Sequence, residues 1–126
     1  MGALDEVIHD GDDVALAAVT AAELLVGVEL ADGARVERRG AFVERLLSDF
    51  PVLPYDLAAA RAHGRLIAHC RRAGQTRGAH DLLIAATASS THRTVVTADA
   101  SGFGELPDVT VRVLPMPRGD LGSATT

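Results

Sequence analysis

Three acids stand where a run of small apolar residues gives way to a helix or a turn: Glu23, Asp81 and Asp99. Glu23 follows the run Val14–Val19, Asp81 opens the stretch Leu82-Leu83-Ile84-Ala85-Ala86, and Asp99 follows Thr94–Thr97. In an open α/β sheet the carboxyl ends of parallel strands meet at one edge, and ligands bind in the crevice there. Carboxylates gathered in such a crevice repel one another, and a hard divalent cation relieves the repulsion. Mg²⁺ or Mn²⁺ takes oxygen ligands, keeps several waters and bridges to phosphate oxygens. The chemistry that matches is metal-assisted hydrolysis of a phosphodiester. Each acid also has a local explanation. Thr20-Ala21-Ala22-Glu23 has the pattern of a capping box, Asp81 in a first helical turn complements the helix dipole, and Asp99 is an ordinary turn residue.

The elements that must position these acids alternate between strand and helix. Leu4 to His9 has helical composition and stops at Asp10-Gly11-Asp12-Asp13, a turn cluster. Val14 to Val19 suits a strand buried on both faces. A helix follows from Thr20 to about Ala31, then another over about Ala34 to Asp49 with Val36, Val43, Leu46 and Leu47 on one face. Pro51-Val52-Leu53-Pro54 is a short strand fenced by prolines, which places it near a sheet edge. Asp56 caps a helix that runs to about Ala73 and ends at Gly74, with Ala60, Gly64, Ile67 and Ala68 expected to face inward. A helix over Ala79 to Ser90 and strands over Thr94–Thr97 and Val109–Leu114 complete the order. The expected class is an α/β domain with a mainly parallel sheet flanked by helices. The domain is expected over residues 1–115, with 116–126 as a frayed tail.

Composition narrows the function classes. The chain has 126 residues, 48% hydrophobic but only 3% aromatic, so the core is built from Ala, Val, Leu and Ile. One cysteine, Cys70, leaves no internal disulfide framework and no multi-cysteine zinc site, and fits a reducing cytoplasm. No apolar run approaches a membrane span of about 18 residues, and the acidic start lacks the basic, apolar character of a signal peptide. The net charge is −5, and all 12 basic residues are arginine. Bulk charge therefore does not attract nucleic acid, and a nucleic-acid substrate requires a local arginine patch or a metal.

Three stretches carry a resemblance to a known family. They are Ala18-Val19-Thr20-Ala21-Ala22-Glu23-Leu24-Leu25-Val26-Gly27-Val28, then Gly78-Ala79-His80-Asp81-Leu82-Leu83-Ile84-Ala85-Ala86-Thr87-Ala88, then Thr94-Val95-Val96-Thr97-Ala98-Asp99 with Phe103. In order and interval they resemble the PIN domain of VapC-type toxins, from bacterial toxin–antitoxin pairs, over roughly residues 3–115. The resemblance implies a three-layer PIN-like fold and a Mg²⁺- or Mn²⁺-dependent endoribonuclease. It also implies silencing by a VapB-type antitoxin. Glu23, Asp81 and Asp99 match three of the family's acidic metal ligands, and Thr97 matches a hydroxyl residue beside the third. Two departures are visible. Gly102 stands where the family usually has a further Asp. The family's opening strand, central in its sheet and bearing a principal Asp ligand, lies before the first residue of this chain, and Asp5 is no substitute for it. The chain is then incomplete at its start, a defective remnant, or a fold in which the two flanking strands pair directly.

Other residues are weighed beside these. Arg71, Arg72 and Arg77 flank the loop leading to Asp81, a patch suited to RNA phosphates or simply a solvated helix end. Arg77 and Thr97 are the candidate substrate contacts. His80 is expected to face solvent, Cys70 to be inert, and Arg35, Arg38 and Arg39 to form an ordinary exposed helix face. His63 and His69 do not share a helix face, and no aromatic stacking platform for RNA is expected. Leu25, Val26 and Leu30 make their helix apolar nearly all round, which suggests a dimer interface or an antitoxin groove. The leading reading is a metal-dependent endoribonuclease toxin. The alternatives are an inactive PIN-like remnant that binds protein and an α/β binding domain whose acids are only caps and turns.

Overall fold

The computed structural model describes residues 13–113. The helical reading of Leu4–His9 and the tail over 116–126 lie outside the described residues. The order is β1 (Leu16–Ala17), α1 (Ala18–Glu29), α2 (Ala34–Asp49), β2 (Val52–Leu53), α3 (Leu57–Ala73), α4 (Ala79–Ser90), β3 (Val95–Thr97), a 3₁₀ turn (Ala100–Gly102) and β4 (Val111–Val113). The alternation expected from the sequence is present, with one relocation. Only two residues of the Val14–Val19 run are strand, and α1 begins at Ala18 rather than Thr20. The N-cap is Ala17, with no side-chain bond, so Thr20 and Glu23 lie inside the helix and the capping box is not formed.

The strands pair in parallel, β1 with β2 and β3 with β4, as two separate two-stranded sheets. Direct pairing of β1 with β3 therefore does not occur among the described residues. Between them lies a cavity of about 600 Å³, walled by Leu16 and Ala17 on one side and Val95 and Val96 on the other, with Ile84 and Thr87 of α4 at its floor. Arg93 donates to Asp13 at 2.8 Å across this gap and ties the approach to β1 to the approach to β3.

The main core forms where α3 packs on α4. Ala62, Leu66 and Cys70 meet Ala85, Ala86 and Ala88, and Val95, Phe103 and Leu106 close the cluster. Small side chains at Ala85 and Ala86, both 0% exposed, bring the two helix axes close. The fully buried positions of α3 are Ala59, Ala62, Leu66 and Cys70; of the expected Ala60–Gly64–Ile67–Ala68 face, Ala60, Ile67 and Ala68 are only half-buried, with Ile67 packed against the core, and Gly64 is exposed. A helix this rich in alanine has little hydrophobic contrast between adjacent faces, so its neighbour, α4, selects which one is buried. Buried Cys70 is consistent with an inert thiol. Among the described residues no helix is long and apolar enough to cross a membrane.

Both predicted ends of α3 are present. Asp56 accepts a hydrogen bond from the Ala59 amide at 3.0 Å, and Gly74 closes the helix at φ 68°, a left-handed conformation glycine adopts without strain. Asp56→Ala is expected to cost about 1 kcal/mol, lowering Tm by about 3–6 °C in a thermal melt. An unchanged Tm would show that the cap contributes nothing.

Candidate functional site

The first turn of α4 carries Asp81, meets Glu23 through His80, and lies against Gly102 of the turn capped by Asp99. The loop before it ends at Gly78, the N-cap, which contributes no side chain to the cap, so His80 and Asp81 fall in the first turn with free amides beneath them. His80 is not solvent-facing alone: its Nδ1 lies 2.8 Å from Glu23 Oε2, joining α4 to α1. Both side chains are about half exposed, at 60% and 49%, so this pair is worth little as a salt bridge and acts mainly to orient Glu23.

Asp81 is half-buried and turned toward the loop after β3. A Cβ placed on Gly102 would stand 2.8 Å from Asp81 Cγ, closer than real Cβ atoms approach, and 3.4 Å from its Cβ. Gly102 is therefore a close-packing position, and the absence of a side chain there is what admits the Asp81 carboxylate. Gly78 leaves room on the other side, where an added Cβ would be 3.5 Å from Asp81 Oδ2. No ion pair engages Asp81 among the described residues.

Asp99 caps the 3₁₀ turn that carries Gly102. Its Oδ1 accepts from the Ser101 amide at 3.0 Å. The Thr97 hydroxyl donates to the Asp99 carbonyl at 3.1 Å and accepts from the Asp99 amide at 3.2 Å. Thr97 thus fixes the backbone of Asp99. Hydrogen bonds from Ser101, first its hydroxyl and then its amide, hold the Asp99 carboxyl below the ordinary carboxylate range. A lowered value means the charged form supports the turn. That support is complete above the ordinary carboxylate pKa and is lost as pH falls through the lowered one. Ser101→Ala is expected to raise the Asp99 pKa toward its ordinary 3.8 in an NMR carboxyl titration. An unmoved titration would rule out the hydroxyl as the main cause.

Glu23, Asp81 and Asp99 are thereby linked through His80 and Gly102, but they do not form a closed cluster. Among the described residues no group of three or more His, Cys, Asp or Glu is placed to hold one metal ion. The donors nonetheless suit a hard cation in kind, since all are carboxylate oxygens. Mg²⁺ commonly needs only one or two carboxylates and keeps its waters.

Arg77 is engaged internally. It donates through Nη2 to the Gly104 carbonyl at 2.8 Å and through Nη1 to the Thr76 carbonyl at 3.3 Å. It braces the loop before α4 against the turn after β3. Arg71 and Arg72 are exposed in the last turn of α3, as a solvated helix end would be. The second arginine group is exposed, as the sequence leads one to expect, and it also borders a cleft. Arg35, Arg38 and Arg39 line a cleft of about 730 Å³ between α1 and α2, together with Glu23 and Phe42. The i, i+3, i+4, i+7 spacing of residues 35, 38, 39 and 42 on α2 was the available signal. The apolar face of α1 is open: Leu25, Val26 and Leu30 are 40%, 53% and 77% exposed.

The PIN domain family model matches residues 2–108. Ribonuclease VapC of Rickettsia bellii is 31% identical over 97 residues, covering 75% of this chain and 71% of that protein. Ribonuclease VapC5 of Mycobacterium tuberculosis is 38% identical over 96 residues, covering 76% and 70%. The crystal structure of VapBC-5 from Mycobacterium tuberculosis, a member of the VapBC family of toxin-antitoxin systems, superposes with TM-score 0.66. It is 33% identical and covers 82% of each chain. With the strand–helix order and these matches in agreement, the chain belongs to the PIN-domain family and, within it, to the VapC type.

Proposed function

We propose that this protein is a divalent-metal-dependent endoribonuclease, the toxin of a VapBC-type pair, acting in the cytoplasm. The observation that carries the reading is the start of α4, where Asp81 lies between Glu23, reached through His80, and the Asp99 turn, reached through Gly102. Asp81 would hold Mg²⁺ or Mn²⁺ directly, and Glu23 and Asp99 directly or through water. When bound, the cation supplies an activated water and neutralises charge on the phosphate. The chain's own residues do the positioning. His80 orients the Glu23 carboxylate, Thr97 fixes the Asp99 backbone, and Arg77 braces the loop that leads into α4, whose first turn carries Asp81. In this reading Thr97 and Arg77 support the site beside the RNA rather than gripping its phosphates.

The partners follow from the exposed α1 face. Leu25, Val26 and Leu30 offer an apolar stripe suited to a protein, either a VapB-type antitoxin or a second copy in a homodimer. The relative VapBC-5 was solved as a member of a toxin-antitoxin family, which favours the antitoxin. The test is incubation of the purified chain with RNA in Mg²⁺, Mn²⁺ or EDTA. Cleavage is expected with either metal and not with EDTA. A second reading, an inactive PIN domain that only binds protein, is favoured by one observation: among the described residues no three ligands stand together. Intact RNA in every condition, with retained antitoxin binding, would select it.

A further inference from the structure

We propose that the cleft between α1 and α2 is a track for single-stranded RNA, with Arg35, Arg38 and Arg39 holding the phosphodiester backbone and Phe42 stacking on a base. The proposal deepens the ribonuclease reading and rests on it for the identity of the ligand. Arg35, Arg38, Arg39 and Phe42 occupy one face of α2 by their spacing, and all four line the same cleft of about 730 Å³. The three arginines are exposed, and among the described residues none has an ion-pair partner. The one acid in the lining, Glu23, is already bonded to His80 at 2.8 Å. The cleft therefore carries surplus positive charge in a protein of net charge −5, which is the local patch that an acidic nucleic-acid binder requires.

Two further features favour RNA over an acidic peptide. Phe42 is 61% exposed, an aromatic ring left in water among guanidinium groups. A basic groove with an aromatic face is the arrangement that binds single strands, because every base has a face to stack. The cleft also includes Glu23, whose carboxylate is bonded to His80, so a strand lying along it passes beside the first turn of α4 that carries His80 and Asp81. Gly27 helps to shape the track. A Cβ there would stand 3.3 Å from Arg39 Nη1 and 3.7 Å from its Cδ, so the Arg39 side chain lies against α1 at the glycine.

The test measures binding without cleavage. Fluorescein-labelled single-stranded RNA is titrated with the full chain in EDTA at several salt concentrations, and anisotropy is read. The cleft variant R35A/R38A/R39A is expected to bind at least about tenfold more weakly, with a salt slope shallower by about two, since each lost phosphate contact on a single strand removes about 0.7. Phe42→Ala is expected to weaken binding by about fivefold or more. The control R45A/R61A/R65A removes the same charge from elsewhere on α2 and α3 and is expected to bind as the parent does. Melting curves verify that all variants are folded. Parental affinity and slope in the cleft variant overturn the track, as does an equal loss in the control. Binding of labelled poly-glutamate that the cleft variant loses while RNA binding persists makes the cleft a peptide site and also overturns it. RNA binding that maps to the cleft in a protein that never cleaves refutes the ribonuclease reading alone. Metal-dependent cleavage with unaltered RNA binding in the cleft variant refutes the track alone.

Discussion

Asp81→Asn is expected to lower metal-dependent RNA cleavage by about a hundredfold or more while changing thermal stability little. The two effects separate because the residue has two roles of unequal size. As the acid of the first turn of α4 it complements the helix dipole, a contribution of about 0.3–1 kcal/mol. Asparagine keeps the shape and the hydrogen-bonding capacity, so the loss of Tm should be within a few degrees. As a metal ligand the carboxylate is not replaceable by an amide at equal strength. Losing about 3 kcal/mol of transition-state stabilisation corresponds to about a hundredfold in rate. Asp56→Ala is the matched control. It removes an acid from the start of α3 and costs comparable or greater stability, yet the carboxylate of that acid serves as a cap, accepting from the Ala59 amide. Its cleavage should be that of the parent. Glu23→Gln should fall between the two, because Glu23 is half exposed and already bonded to His80. Cleavage by Asp81→Asn at the parental rate, with both proteins folded, would remove Asp81 from the site.

What was legible in the sequence was local. The Asp56 cap, the Gly74 stop and the extents of α2, α3 and α4 follow from residues within a few positions of each boundary. The start of α1 was misplaced because Val-Ala-Leu-Ala-Ala-Val has no periodicity that distinguishes a buried strand from a buried helix. Thr20 and Glu23 then looked like a cap, although the helix had begun before them. The inward face of α3 is rotated from the expected one for a related reason: among so many alanines, packing against α4 decides which are fully buried and which only half. For the site, the residue types were readable and their mutual geometry was not. The Glu23–His80 pair joins two helices distant in sequence, and neither residue carries a local mark of the other. Arg77, a candidate substrate contact by its place in the sequence, donates to the Gly104 carbonyl, a bond that no local pattern marks. Arg35, Arg38 and Arg39 looked like a solvated face, because unpaired surface arginines have the same pattern whether they line a cleft or not.

Gly102 shows how one position connects fold and site. The family usually places an Asp here, and restoring it by Gly102→Asp would on chemistry alone complete the acid set. The opposite is expected. Any side chain at 102 brings a Cβ within 2.8 Å of Asp81 Cγ. The contact atom is on a short side chain held at the start of α4, so relief requires rotating Asp81 away or shifting the 3₁₀ turn capped by Asp99. Gly102→Ala isolates this steric effect and should destabilise by about 1–3 kcal/mol, the usual range for overpacking. It should also reduce cleavage, because Asp81 can no longer occupy its place. Gly102→Asp adds a second carboxylate beside the first. Like charges at that distance disfavour joint ionisation, so its destabilisation at neutral pH should exceed that of the alanine variant and shrink as the pH is lowered. A divalent cation should restore part of the Tm of Gly102→Asp and little of that of Gly102→Ala, because only the former has gained a donor. Thermal melts of both variants at two pH values, with and without Mg²⁺, separate the steric from the electrostatic contribution. Equal stability of Gly102→Ala and the parent would mean that Asp81 does not lie against Gly102. The account of the site would then lose the contact that joins α4 to the Asp99 turn.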